Sequence, residues 1–357
     1  MRDFDAIILG AGIAGASVAF ALKQKGLNVL VLEKDTICSG DSYAAGAFLS
    51  PKMSKPSPYK TYLNDAFHYS LGFYKEHFPF ALEQCGLLKL PLDEADKKRL
   101  KSYEEFMTIE WEKKGEDYFF PKAGLIEPQS LIKAMLKDID VIEDFTHHDI
   151  TYVDKWKIDD FTAIHLIIAT GSSELPFDLP YLNTKKVGGY RYDVRYHDMQ
   201  TLEHNIHREL SFSHYHDHKV IIGATHIRGD VDLEDAAYHD NHTLLEKANT
   251  IQPLKNLNIL KTYTGYRSAT NDYFPIVGKV IHHDKTLEAY PYIKKGSKVP
   301  SEEFISFPNL YIHNALASRG FVFAPYNAML LAELIVEGKE IDERLSPVRL
   351  FRKWARK

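Results

Sequence analysis

The chain has 357 residues, of which 45% are hydrophobic and 12% are aromatic, and its formal net charge is -5. This length and composition exclude a disordered chain and allow two lobes with a large core. The acidic balance gives no general attraction to nucleic acids, so any such contact must come from a local basic surface.

The cysteine content and the N-terminal sequence concern the cellular location. Cys38 and Cys85 are too few for a disulfide framework and lack the spacing of a zinc site, which favours a reducing compartment. The first residues, MRDFD, lack the cationic start of a secretory signal. The apolar run 6–22 contains three glycines and divides into a strand, a turn and a helix. We therefore expect a cytoplasmic protein without membrane contact.

The start of the chain predicts a β-α-β unit. Residues 5–9 form an apolar run typical of a buried strand, and residues 14–25 are predicted to form a helix that ends at Gly26. Residues 28–32 have the pattern of a second strand.

A glycine motif joins the first strand to the first helix. Gly10, Gly12 and Gly15 form G-x-G-x-x-G, which permits a tight turn and close approach of a pyrophosphate to the helix N-terminus. Glu33 ends the second strand 18 residues after Gly15, near the spacing at which an acid binds a ribose hydroxyl. The unit predicts a dinucleotide site, but it does not distinguish FAD from NAD.

The next segments predict a loop, two helical regions and a strand. Residues 39–46 form a loop rich in small residues, and residues 62–78 have the periodicity of an amphipathic helix. The charge-rich segment 93–116 has helical spacing, and we expect a solvated helical excursion without a catalytic role. Residues 165–169 are predicted to form a buried strand that ends in TGS, where a sheet edge can meet a ligand.

The middle of the chain predicts a second lobe. Alternating apolar and polar residues over 190–225 indicate antiparallel strands. Nine of the 17 histidines lie between His197 and His242, and alternation would place His214, His216 and His218 on one strand face. Asp217 and the flanking strand-like runs favour a polar hairpin over a metal site, and no HExxH or CxxC pattern supports a metal.

The C-terminal part predicts a return to the first sheet. Residues 310–313 are predicted to form a strand, residues 314–323 a loop, and residues 325–336 a helix closed by Gly338. Pro325 suits the first turn of that helix. The N-terminal and C-terminal parts are therefore expected to build one domain, with the second lobe inserted between them.

Four further segments resemble the D-amino-acid-oxidase-like family of FAD-dependent oxidoreductases, which includes glycine oxidase and sarcosine oxidase. They are SGDSYAAGAFLSP at 39–51, ATGS at 169–172, YRSATNDYFPIVG at 266–278 and ALASRGFVFAP at 315–325. The resemblance implies an α/β fold, with a Rossmann-like FAD-binding domain and an inserted antiparallel-sheet substrate domain. The expected FAD-binding domain comprises residues 1–80, 122–182 and 264–345, the substrate domain 81–121 and 183–263, and a basic tail 346–357.

The resemblance also implies a non-covalent FAD, since no cysteine follows Cys85 to form a thioether in the C-terminal half. The backbone N–H groups of residues 317–323, before a helix, are expected to face the flavin pyrimidine. The expected cofactor-binding residues are Gly10, Gly12, Ile13, Ala14, Gly15, Glu33, Lys34, Ser39, Gly40, Ala45, Gly46, Ala169, Gly171, Ser318, Gly320 and Phe321.

Arg267 and Arg319 are the candidate catalytic residues, because a guanidinium can hold both oxygens of a carboxylate with two parallel hydrogen bonds. Within the family, their segments carry R-x-A-T-x-D-x-x-P-x-V-G and L-x-S-R-G-x-x-x-A-P. The alternative for each arginine is a surface or interdomain salt bridge.

Those two patterns, with S-G-x-x-x-x-G-A before Pro51-Lys52, most resemble oxidase domains that act in 5-methylaminomethyl-2-thiouridine synthesis in tRNA. This implies an oxidase that converts 5-carboxymethylaminomethyl-uridine in tRNA, with or without 2-thiolation, to the 5-aminomethyl form and glyoxylate. The wobble uridine of tRNA would be the substrate, and a separate methyltransferase would carry out the next step. The alternatives are an oxidase of glycine, sarcosine or another small amino acid, and a non-catalytic flavin-binding partner protein.

Clusters of basic residues offer a surface for phosphates. The segment 344–357 contains six basic residues and no acidic one. Two further groups are expected to join it in a positive rim around the substrate entrance. The alternative for each cluster is a set of solvated charges. The basic residues concerned are Arg344, Arg349, Arg352, Lys353, Arg356 and Lys357, then Lys185, Lys186, Arg191 and Arg195, and then Lys52, Lys55 and Lys60.

Overall fold

The computed structural model describes residues 1–229, 231–239 and 241–356, without the side chains of residues 241 and 242. The strands are β1 Arg2–Leu9, β2 Val29–Leu32, β3 Phe48–Leu49, β4 Leu82–Glu83, β5 Leu87–Lys89, β6 Glu112–Lys114, β7 Asp117–Phe120, β8 Gly124–Ile126, β9 Asp140–Ile142, β10 Ile150–Tyr152, β11 Trp156–Ile158, β12 Phe161–Ile168, β13 Lys185–Arg195, β14 Asn205–His207, β15 Ser211–Phe212, β16 Val220–Gly223, β17 Ile227–Arg228, β18 Asn258–Ala269, β19 Ile276–Ile281 and β20 Ser306–Asn314. The α-helices are α1 Ile13–Gln24, α2 Asp41–Ala44, α3 Pro58–His77, α4 Glu94–Lys101, α5 Pro128–Leu136, α6 Leu233–His239, α7 Asn241–Asn249, α8 His283–Ala289, α9 Gly320–Glu337 and α10 Pro347–Ala355.

The first sheet combines strands from both ends of the chain. Its order is β10-β11-β12-β1-β2-β9, with β20 paired to β12 and β19 paired to β20. Strand β1 runs parallel to β2 and β12, and β12 runs parallel to β20, where Leu166 is the partner of Leu310. Ile7, Ile8 and Leu166 are fully buried, as expected for a parallel sheet covered on both faces. The predicted return of a C-terminal strand to the first sheet is confirmed.

The second sheet is built from the middle of the chain and is mainly antiparallel. Its order is β17-β13-β16-β15-β14-β5-β7-β6, and β18 pairs with β13 along almost its whole length. A small third sheet has the order β3-β8-β4. The predicted α/β class with an antiparallel second lobe is confirmed. We propose that the domain division follows the two large sheets, although β18 runs without interruption across the predicted boundary after residue 263.

Helix α9 begins at Gly320, so the prediction of a loop up to residue 323 and a helix from Pro325 is wrong. Pro325 lies inside the helix and has no N–H to donate to the carbonyl of Phe321. The hydroxyl of Tyr74 on α3 donates to that carbonyl at 2.8 Å, and Ser70 donates to the next one at 2.8 Å. The hydrogen bonds from α3 therefore allow the helix to start one turn earlier than the proline suggests.

The segment Ala317–Glu337 is long and apolar enough to cross a membrane by those criteria alone. However, 56% of its apolar window is buried within the protein, where α9 packs between α1 and α3. The apolar composition is thus explained by a position in the core of the fold.

The charged segment 93–116 is not one helical excursion, contrary to the prediction. Helix α4 ends at Lys101, and β6 joins the second sheet beside β7. Asp93 caps α4 by accepting the N–H of Asp96 at 2.7 Å. Gly115, with φ +63°, makes the turn between β6 and β7. Strand pairing has therefore overridden the local helical spacing.

The histidine-rich region forms the predicted hairpin, from β15 and β16. His214 and His216 follow β15 and stack at 5.3 Å between ring centres, and both contact Glu83, at 2.6 and 3.7 Å. His218 lies in the turn with φ +57°, so the three rings do not share one strand face as predicted. Within the described residues no His, Cys, Asp and Glu side chains form a group that could hold a metal ion.

Candidate active site

A cavity of about 690 Å³ lies where the carboxyl ends of β1, β2 and β12 approach the second sheet. This size is typical of a site for a cofactor and a substrate. The structure brings almost all of the predicted site residues together around it. Those lining the cavity are Gly10, Gly12, Ile13, Ala14, Glu33, Lys34, Ser39, Gly40, Ala45, Gly46, Ala169, Gly171, Arg267, Ser318, Arg319, Gly320 and Phe321.

Gly15 does not line the cavity, but its lack of a side chain allows the close packing on which the glycine turn depends. A Cβ at Gly15 would lie 1.9 Å from the carbonyl oxygen of Gly10. Gly10 itself has φ +109°, and a Cβ there would lie 2.5 Å from the carbonyl oxygen of Ala169. Larger side chains at either position would separate β1, α1 and β12, so these glycines keep the N-terminus of α1 open to the cavity.

The first turn of α1 faces the cavity, and some of its backbone N–H groups already have an acceptor within the protein. The N–H of Ile13 donates to Ser42 Oγ at 2.9 Å. Ala14 lines the cavity, and a first-turn N–H such as its own has no carbonyl partner within the helix. The positive end of the helix thus remains available to an anion such as a diphosphate.

Glu33 lies at the end of β2, where its carboxylate is held by the backbone. It accepts the N–H of Ala11 at 2.5 Å and that of Asp35 at 3.0 Å. These bonds fix the carboxylate at the cavity wall, while its remaining lone pairs can accept a hydroxyl. Ribose binding by Glu33 stays a prediction.

A second helix N-terminus lines the same cavity. Residues Ala317–Arg319 form a 3-10 turn that leads into α9. Ser318 of this turn and the first helical residues, Gly320 and Phe321, line the cavity. The Cα of Gly320 lies close to Ile13, where an added Cβ would be 3.3 Å from Ile13 Cγ2. The positive ends of α1 and α9 therefore meet at one cavity, where they can stabilise a diphosphate and a second group that gains negative charge.

Asp41 connects three of the resembling segments, and the prediction missed it. Its carboxylate accepts the N–H and the hydroxyl of Ser172, at 3.1 and 2.9 Å, and the N–H of Tyr266 at 3.2 Å. Burial raises the pKa of Asp41, and these hydrogen bonds oppose that shift. Asp41 lies within the recognisable segment SGDSYAAG, but its partners Ser172 and Tyr266 are distant in sequence and can be identified only from the fold.

Arg267 enters the cavity from β18. Its Nη1 donates to the carbonyls of Thr225 and Gly188, at 3.1 and 3.4 Å. Burial lowers the pKa of the guanidinium, and Asp41 opposes that shift. Among the residues that the structure describes, no acidic side chain forms an ion pair with Arg267. The alternative of a surface or interdomain salt bridge is therefore wrong for Arg267 within these residues.

Arg319 enters from the turn before α9. Its Nη1 donates to the carbonyl and the hydroxyl of Ser50, at 2.7 and 2.9 Å. Burial lowers its pKa, and Tyr59 opposes that shift. Arg319 also has no carboxylate partner among residues 1–229, 231–239 and 241–356. Each arginine thus keeps a second terminal nitrogen for a ligand, although they enter the cavity from different elements.

Two lysines and a histidine that the prediction did not assign to the catalytic site lie near Arg319. Lys52, Lys89 and His207 all line the cavity. Burial, together with Lys89, Arg319 and Lys52, lowers the pKa of His207 to about 3, so this imidazole is neutral at physiological pH. The sequence places Lys52 only in the predicted basic rim, and Lys89 and His207 lie outside any motif.

The predicted basic rim is wrong for several of its members. Lys60 is 4% exposed and donates to the carbonyl of Phe106, whereas Arg191 is 5% exposed and pairs with Asp193. In the basic segment 344–357, three arginines pair with acids: Arg344 with Asp342, Arg349 with Asp272 and Arg352 with Glu343. Lys55, Lys185, Lys186, Arg195, Lys353 and Arg356 are exposed. Lys357 lies outside the described residues.

Comparisons with known proteins identify the family. Residues 5–334 match the family DAO, described as FAD dependent oxidoreductase. This chain belongs to the DAO family. Its cofactor is FAD, and it is an FAD-dependent oxidoreductase. The glycine turn, the acid after β2 and the two helix ends at one cavity fit that cofactor.

Among curated relatives, the chain is similar to the tRNA 5-methylaminomethyl-2-thiouridine biosynthesis bifunctional protein MnmC of Legionella pneumophila (strain Corby). The two are 28% identical over 389 residues, which cover 98% of this chain and 57% of the relative. The protein of the same name from Campylobacter fetus is 26% identical over 97% of this chain and 59% of the relative. The chain thus spans somewhat more than half the length of these relatives.

Among solved structures, the chain resembles glycine oxidase from Geobacillus kaustophilus, with a TM-score of 0.73 and 21% identity over 96% of each chain. It also resembles L-proline dehydrogenase from P. horikoshii, with a TM-score of 0.72 and 16% identity over 99% of each chain. At these identities the structures establish the DAO fold.

Proposed function

We propose that this enzyme oxidises the carboxymethylamine side chain of 5-carboxymethylaminomethyl-uridine in tRNA, with or without 2-thiolation. The products would be the 5-aminomethyl nucleotide and glyoxylate. The observation that carries the proposal is the pair of half-buried arginines, Arg267 and Arg319, that line the FAD cavity without a carboxylate partner in the described residues. The similarity to MnmC proteins supports the RNA substrate.

The reaction removes two electrons from the carbon between the nitrogen and the carboxylate. FAD supplies the electron acceptor for a hydride from this carbon. The nitrogen loses a proton, so a C=N bond forms. Water then adds to the imine carbon and the C–N bond breaks, which leaves the amine on the uridine and the aldehyde on glyoxylate. We propose that oxygen takes the two electrons and is reduced to hydrogen peroxide.

The protein contributes orientation and charge. The free terminal nitrogens of Arg319 and Arg267 would hold the carboxylate and so align the adjacent carbon with the flavin. Gly320 and Phe321, at the positive end of α9, would stabilise negative charge that develops during the reduction. His207 would act as a neutral wall residue rather than as an acid, because its pKa is lowered to about 3.

The test uses tRNA from a strain that lacks this gene. After incubation with the purified FAD-loaded protein, nucleosides are measured by mass spectrometry and glyoxylate is trapped as a hydrazone. The proposal expects loss of the carboxymethylated uridine and an equal gain of the aminomethyl form.

Two other results would reject the proposal. Unchanged tRNA together with peroxide release from sarcosine or glycine would favour the small amino acid oxidase. Bound flavin that neither RNA nor any amine reduces would favour the non-catalytic partner protein.

A further inference from the structure

Three cationic side chains from separate elements surround one part of the cavity. Lys52 follows β3, Lys89 ends β5, and Arg319 precedes α9, and all three line the cavity wall. Strand pairing fixes one of them, because Lys89 on β5 is the register partner of His207 on the parallel strand β14. Lys89 therefore belongs to the folded frame and not to a mobile surface loop.

This cluster lacks compensating negative charge. None of the three cations forms an ion pair within the part of the chain that the structure describes. Asp96, the acid that acts on Lys89, already pairs with Arg99 and accepts the N–H of Leu92 at 2.9 Å. The acidic residues that line the cavity belong to the segments after β2 and β12, and they are Glu33, Asp35, Asp41 and Glu174.

The cations also act on one another. Burial lowers the pKa of Lys52, and Arg319 lowers it further. Burial is the main cause that lowers the pKa of Lys89, to which Lys52 and Arg319 add while Asp96 opposes. Grouped cations in a partly buried site are unfavourable unless a ligand supplies negative charge. A single substrate carboxylate on Arg319 would leave the two lysines without a partner.

We propose that Lys52 and Lys89 form a second anion subsite beside Arg319, which binds a phosphodiester of the RNA strand that carries the modified uridine. This inference rests on the proposed function. The side chain on C5 of a uridine points from the same base edge that faces the 5′-phosphate of that nucleotide. When Arg319 holds the carboxylate, that phosphate is the nearest further anion, and lysine is a common phosphate ligand. The subsite would thus select a nucleotide over a free amino acid.

The experiment compares Lys52→Gln and Lys89→Gln with wild type on two substrates. One is an anticodon stem-loop RNA with carboxymethylaminomethyl-uridine, and the other is the same modified nucleoside without phosphate. Lys98→Gln is the matched control, since Lys98 is an exposed lysine on α4 outside the cavity. Flavin content and the visible spectrum check that each variant is folded, and Lys52→Arg and Lys89→Arg test rescue by the retained charge.

Each glutamine variant is expected to raise KM for the stem-loop about tenfold, as for the loss of one charged hydrogen bond. It should also reduce the slope of log kcat/KM against log salt by about 1. KM for the nucleoside should change less than twofold. In Lys98→Gln, KM for the stem-loop and KM for the nucleoside should each change less than twofold. Lys52→Arg and Lys89→Arg should recover most of the lost affinity for the stem-loop.

Two outcomes overturn the subsite. Equal losses on stem-loop and nucleoside would assign the lysines to the carboxylate, and an unchanged KM and salt slope would leave them without a role in binding. If the wild-type enzyme oxidises the stem-loop, the proposed function holds, and these outcomes in the variants then reject the subsite alone. A wild-type enzyme that oxidises neither the stem-loop nor the nucleoside would reject both claims.

Discussion

Arg319→Met removes the guanidinium that we assign to the substrate carboxylate while keeping a side chain of similar length. A charged hydrogen bond to a carboxylate contributes about 1.5–3 kcal/mol, so kcat/KM is expected to fall about 10- to 160-fold. The change also removes the donor to the Ser50 carbonyl and hydroxyl, at 2.7 and 2.9 Å. Because that carbonyl lies at the cavity, where water can replace the donor, most of the loss should appear in substrate binding and turnover.

The assay mixes FAD-loaded variant and modified stem-loop RNA without oxygen and follows the flavin absorbance. Arg344→Met is the matched control, since Arg344 is exposed and pairs with Asp342 two residues before it. Arg319→Lys should recover only part of the activity, because an ammonium cannot form the two parallel bonds of a guanidinium. A variant Arg319→Met that binds FAD and reduces it at the wild-type rate at every RNA concentration would refute the assigned role.

The other predictions concern the frame of the site and its pH dependence. Asp41→Ala leaves the N–H of Ser172 without its acceptor, so we expect about 1–3 kcal/mol lower stability and weaker FAD binding, measured by thermal unfolding and flavin titration. Unchanged values would contradict the linking role. Tyr74→Phe removes the donor to the carbonyl of Phe321, to which Pro325 cannot donate. The free energy of unfolding, measured by chemical denaturation, should fall by about 1–2 kcal/mol, with the flavin spectrum unchanged. The lowered pKa of Lys52 predicts that KM for RNA rises with pH earlier in the alkaline range than an ordinary lysine would require. Lys52→Arg should move that rise upward, and identical profiles would argue against a phosphate contact.

The sequence predicted the parts of the fold that depend on local pattern. The glycine turn, the acid after β2 and the apolar runs of β1 and β12 each have a short-range signature, so the part of the cavity that they line could be predicted. The start of α9 did not, because the carbonyl left free by Pro325 is satisfied by Tyr74, which lies 247 residues before Phe321 in the chain. A local rule for proline has no access to such a donor.

The substrate side of the cavity was less accessible to prediction. Lys89 and His207 meet because β5 and β14 pair in parallel across a long stretch of sequence, and neither lies in a recognisable motif. Conversely, Lys60 and Arg191 belong to basic clusters in the sequence but are buried against the protein's own acceptors. A basic cluster in the sequence therefore predicts a positively charged surface only where its side chains are exposed to solvent.

The central claim is that FAD in this cavity accepts electrons from a carboxymethylamine on RNA. Anaerobic mixing of the FAD-loaded protein with excess carboxymethylaminomethyl-uridine stem-loop, followed by absorbance and glyoxylate analysis, measures this directly. Our account predicts that the yellow colour is lost and that glyoxylate appears in an amount equal to the reduced flavin. A flavin that stays fully oxidised with this RNA, in a protein that holds FAD, would contradict it.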